Sequence, residues 1–124
     1  MIAALAITAA LAGPAVHIDA ARTQHVLQQR NLLVAVTSSE DAKVRITAHI
    51  DVGGTTRHYP TIGYQRHLIA DTKREFKLIV AKTKRARLSL ALAHGHQLTA
   101  HVRVSVRDSA GNATVKKLTI RCVR

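Results

Sequence analysis

The feature that most constrains this chain is a two-residue rhythm near its C-terminus. Leu98, Ala100, Val102, Val104 and Val106 take every second position, and Thr99, His101, Arg103, Ser105 and Arg107 fill the places between. Side chains of a strand point alternately to its two faces, so the pattern specifies a strand with one apolar and one wet face. A helix would scatter the same aliphatic residues around its circumference. Asp108-Ser109-Ala110-Gly111-Asn112 follows as a tight turn, and Leu118, Ile120 and Cys122 alternate beyond it. Two long strands joined by so short a loop pair antiparallel.

The rhythm recurs upstream. Val44, Ile46, Ala48 and Ile50 alternate with Lys43, Arg45, Thr47 and His49, and Leu32, Val34 and Val36 form an earlier set. Phe76, Leu78 and Val80 form a later one. A short first strand is expected over 24–28. Pro60 and Gly63 interrupt the stretch 55–70, leaving two short edge segments near 57–59 and 64–69. Residues 81–94 read both ways: Leu88 and Leu92 are four apart, Leu88, Leu90 and Leu92 alternate, and Gly95 suits a helix C-terminus. The helical reading is preferred. About seven strands with turns between them, joined by a short helical crossover near residues 82–94, predict an all-β antiparallel sandwich.

Composition narrows the function classes. Tyr59, Tyr64 and Phe76 are the whole aromatic supply, so the core is aliphatic and a base-stacking platform for single-stranded nucleic acid is not expected. Nineteen Lys and Arg against seven Asp and Glu give a net charge of +12, a field that attracts polyanions without specifying which. One cysteine, Cys122, forms no internal disulfide, and its alternation with Leu118 and Ile120 points it inward.

Residues 1–12 are uncharged and apolar, about the length of a signal-peptide core and too short for a transmembrane span. Gly13-Pro14-Ala15 follows as a break. No Lys or Arg precedes the run, which a leader would ordinarily carry. The expected organisation is therefore an apolar signal-peptide-like or linker segment over 1–21 and one domain over 22–124.

The run Val102-Arg103-Val104-Ser105-Val106-Arg107-Asp108-Ser109-Ala110-Gly111-Asn112-Ala113-Thr114 resembles the last hairpin of bacterial immunoglobulin-like domains. Gln24-His25-Val26-Leu27-Gln28-Gln29-Arg30-Asn31-Leu32-Leu33-Val34 resembles their first two strands, as found in secreted or surface proteins of actinobacteria. Ser38-Ser39-Glu40-Asp41-Ala42 stands where many such domains carry a cysteine pair. The resemblance implies an immunoglobulin-like β-sandwich at residues 22–124, secreted or at the cell surface, acting as a structural or adhesive module. It carries over no catalytic residue.

No constellation for acid–base or nucleophilic catalysis is legible, and no catalytic, cofactor or metal-binding residue is assigned. His94-Gly95-His96 resembles half of a metal site, with His58 and His67 as the partners the fold would have to bring in; exposed surface histidines are the preferred reading. Asn112-Ala113-Thr114 matches a glycosylation sequon, but the turn already accounts for Asn112. The candidate anion-contacting surface is Lys82, Lys84, Arg85 and Arg87 on the crossover with Arg103 and Arg107 on the long strand. Anionic envelope polymers, or other domains of a surface protein, are the expected partners. The rival reading is an intracellular basic protein that coats nucleic acid non-specifically.

Overall fold

The computed structural model describes residues 13–124. The apolar run 1–12, and the leader expected there, lie outside the described residues. Nine strands stand among the described residues: β1 (Val16–Asp19), β2 (Thr23–Gln24), β3 (Asn31–Ser38), β4 (Ala42–Val52), β5 (His58–Pro60), β6 (Tyr64–Leu68), β7 (Arg74–Ile79), β8 (Leu98–Asp108) and β9 (Ala113–Cys122). Two helices join them, a single turn α1 (Val26–Gln29) and the crossover α2 (Lys82–Ala93). None of the described helices is long and apolar enough to cross a membrane.

The strands form two sheets, a three-stranded one ordered β1-β3-β7 and a six-stranded one ordered β2-β9-β8-β4-β5 with β6 also paired to β4. The alternation read from the sequence decides which side is buried. Val44, Ile46 and Ile50 of β4, Val102, Val104 and Val106 of β8 and Ile120 of β9 are sealed against Leu32, Val34 and Val36 of β3 and Phe76 and Leu78 of β7. Burying such side chains contributes about 1.5–3 kcal/mol each, and this is what holds two otherwise polar sheets together.

β4 is the hub. One edge pairs with β8 from Ala42 opposite Asp108 to Val52 opposite Leu98. The other edge is shared, β6 covering residues 42–46 and β5 covering 49–51. Between them the chain leaves the ladder. Pro60 has no N–H to give, and a Cβ on Gly63 would meet the Ile46 carbonyl at 3.0 Å. The two interrupted edge segments expected from Pro60 and Gly63 are therefore present.

The helical crossover is present too. Gly95, at φ +83°, ends α2, with its N–H donated to the Leu92 carbonyl and that of His96 to Ala91. Leu88 is the fully buried residue of α2.

Two expectations are corrected at the N-terminal end. The strand expected over 24–28 is only two residues long and runs into α1, because Val26 packs inward and Arg30 turns the chain back at φ +67°. The segment 1–21 was expected to stand apart as leader or linker. Within it, β1 pairs with β3, Val16 opposite Ser38 through Asp19 opposite Ala35, so the sandwich reaches back before residue 22. Half-buried Val16 and Ile18 alternate with exposed His17 and Asp19, the same rhythm in a shorter run.

Candidate functional site

The outward side of the six-stranded sheet follows from the register. β4 contributes Lys43, Arg45, Thr47, His49 and Asp51; β8 contributes Thr99, His101, Arg103, Ser105 and Arg107; β9 contributes Val115, Lys117, Thr119 and Arg121. Six of these side chains are cationic at neutral pH and one, Asp51, is a carboxylate. Lys43 stands directly opposite Arg107, and Arg103 directly opposite Lys117. Like charges facing each other across a ladder destabilise the pair. The sheet accepts that cost twice on one open face.

A shallow groove of about 980 Å³ crosses the same face, lined by Arg22, His49, Asp51, His58, His101, Arg103 and Lys117 among others. At its floor the register sets His49 opposite His101, and Asp51 lies two residues along from His49 on the same side. His101 Nε2 is 2.9 Å from Asp51 Oδ2, and His49 Nε2 is 3.5 Å from Asp51 Oδ1. The two imidazoles stack with centroids 5.1 Å apart and planes 26° apart. His58, opposite Asp51 on β5, meets His49 edge-on at 5.9 Å. The side chains of His49, Asp51 and His101 are each a little under half exposed, so solvent and solutes reach them.

The six candidate anion-contacting residues divide between two places. Arg103 and Arg107 lie exposed on the sheet face, Arg103 in the groove wall and Arg107 beside Lys43. Lys82, Lys84, Arg85 and Arg87 lie on α2. There Lys84 donates to the Pro60 carbonyl at 3.0 Å, and Arg85 is partly buried with its Nε enclosed and no partner among the described residues. Lys82 and Arg87 are exposed. The first turn of α2 holds no acidic residue and its N-cap, Ala81, makes no side-chain bond, so these cations crowd the positive end of the helix dipole.

His94 and His96 do not come together with His67. They line a separate hollow with His58 and Arg87, and His96 Nδ1 bonds the Gly53 carbonyl at 2.9 Å, bracing the β4–β5 turn. Cys122 is buried as expected, and its burial pushes the thiol up to about 11.

Sequence reasoning placed His49 and His101 on outward faces but did not join them. Half of the signal was local: His49 and Asp51 are two apart in an alternating strand and must share a face. The other half, His101, lies fifty-two positions downstream of His49 and is brought in only by the β4–β8 register.

The chain matches no protein-family model and no curated protein.

Proposed function

We propose that this chain is a non-catalytic, immunoglobulin-like binding module that lays the open face of its larger sheet against an anionic polymer of the cell envelope. The observation that carries this reading is the pair of like-charge cross-strand contacts, Lys43–Arg107 and Arg103–Lys117, on a face with a single carboxylate. A bound polyanion turns that repulsion into attraction, and the field of the face draws such a partner in. The face is preferred over α2 because Lys84 there is already bonded to the Pro60 carbonyl and Arg85 is partly buried.

The strand order supports the immunoglobulin-like assignment. On this reading β1, β3 and β7, adjacent in the smaller sheet, would correspond to strands A, B and E, and β9, β8 and β4, adjacent in the larger, to G, F and C. Placement outside the cytoplasm rests on the resemblance of the 102–114 hairpin to secreted domains and on the leader-like composition of residues 1–12.

Titration with polyglycerol phosphate and, separately, with a short DNA duplex tests the proposal. Salt-sensitive binding to the envelope-type polymer, lost in Arg103→Glu/Lys117→Glu and retained in Lys82→Glu/Arg87→Glu, is the expected result. Tighter binding to the duplex at the same salt would favour the nucleic-acid reading instead. Binding lost only in the α2 variant would move the site off the sheet.

A further inference from the structure

We propose that His49, Asp51 and His101 form a binding site for one divalent metal ion of the zinc class, with an open coordination position facing the groove. The proposal is independent of the polyanion reading, since it rests on three side chains and their separations.

Among the described residues these three are the group whose ligand atoms converge, all lying within 4.8 Å of one another. Zinc bonds imidazole nitrogen and carboxylate oxygen at about 2.0–2.2 Å in a tetrahedron, which sets neighbouring ligand atoms about 3.3 Å apart. His101 Nε2 lies 2.9 Å from one Asp51 oxygen and His49 Nε2 lies 3.5 Å from the other, each within a few tenths of an ångström of that value. Both Nε2 atoms thus already lie at the same carboxylate. All three ligands stand on paired central strands, whose ladder fixes their Cα positions. Two imidazoles and one carboxylate suit zinc, nickel or cobalt and are a poor set for magnesium or calcium, which favour an all-oxygen shell.

Three protein ligands leave the fourth position for water or an exogenous group. His58 is an adjacent imidazole, in edge contact with His49, and Arg22, Arg103 and Lys117 line the same groove. The surroundings thus favour an anionic oxygen ligand, a phosphate or carboxylate, at the open position. The simpler account is that Asp51 only accepts hydrogen bonds from two surface histidines. The two accounts differ in whether a metal is held.

The test is titration of the folded chain with Zn2+ by calorimetry and with Co2+ by visible absorption. One equivalent should bind at micromolar concentration, and Co2+ should give the intense bands of a four-coordinate site. Asp51→Asn and His101→Gln should each weaken binding by more than the roughly 10–100-fold that loss of an outer-shell partner costs. His67→Gln and His94→Gln should leave it unchanged. His49→Gln is the replicate should either of the first two disturb the circular dichroism spectrum. Absence of saturable binding, or equal weakening by His67→Gln or His94→Gln, overturns the proposal.

Discussion

Gln24 and Leu33 close a two-bond bridge between the sheets. The Leu33 N–H donates to Gln24 Oε1 at 2.9 Å, and Gln24 Nε2 donates back to the Leu33 carbonyl at 2.8 Å. Gln24 belongs to β2 on the larger sheet and Leu33 to β3 on the smaller. β1 covers β3 only from Ala35 to Ser38, so the buried amide of Gln24 continues the ladder where β1 has ended. Nε2 also donates to the Ala21 carbonyl at 3.1 Å.

Gln24→Leu is therefore expected to destabilise the fold by about 1–3 kcal/mol, the cost of leaving a buried backbone donor and acceptor unpaired. Urea unfolding of the two proteins measures it. A change within a few tenths of a kcal/mol would mean that the bridge holds nothing.

Arg103→Glu should act in opposite directions on stability and on binding. It replaces a like-charge contact with Lys117 by an opposite one, worth about 0.2–1 kcal/mol in favour of the folded state. The same change removes a cation from the groove wall and weakens polyanion binding. Thermal unfolding and a binding titration at low salt read the two effects. Loss of both stability and binding would show that Arg103 serves the fold.

Cys122 supplies a pH prediction. Its thiol is held protonated by burial, at about 11 against an ordinary 9.0. Between those values the unfolded chain gives up the proton and the folded one keeps it, so stability contributed by this group falls as pH rises through the window and is constant below it. Cys122→Val, compared with the parent, should lose less stability between pH 9 and pH 11 in urea titrations. The parent thiol should also resist a thiol-specific reagent at neutral pH until denaturant is added. Rapid labelling of the native protein would contradict the buried placement.

Salt should separate the two binding modes. Polyanion affinity falls as salt screens the face, over a Debye length of about 10 Å at 0.1 M. A divalent ion at His49, Asp51 and His101 is instead repelled by Arg22, Arg103 and Lys117 around the same groove, so Zn2+ affinity should hold or rise over the same range. Parallel titrations in a non-coordinating salt check this. Zn2+ affinity falling in step with the polyanion would mean that the ion does not sit among those cations.

The long strands were legible because the alternation in β4 and β8 runs far enough to exclude a helix. α2 was less plainly marked, since Leu88 and Leu92 fit a helix while Leu88, Leu90 and Leu92 also alternate, and Gly95 supplied the helix end. The short elements were not legible. β2 has two residues, too few for a period, and α1 depends on Val26 packing into a core assembled from distant strands. β1 was hidden by the apolar run before it, although Val16 and Ile18 alternate. The cationic face was half legible, since Arg103 and Arg107 alternate outward. Lys117 lies in the returning strand of the same expected hairpin as Arg103, whereas Lys43 opposite Arg107 follows only from the β4–β8 register, as does the meeting of His101 with His49 and Asp51. The β4–β8 pairings join residues far apart in sequence, and no local pattern encodes which distant strands neighbour each other.

The central claim is that the open sheet face is the binding surface. Two-dimensional amide NMR of the labelled chain, titrated with polyglycerol phosphate, tests it most directly. The account predicts shifts concentrated on Lys43, Arg45, Arg103, Arg107, Lys117 and Arg121, with α2 and the smaller sheet unmoved. Shifts centred on Lys82 to Arg87, or spread evenly over every exposed cation, would contradict it.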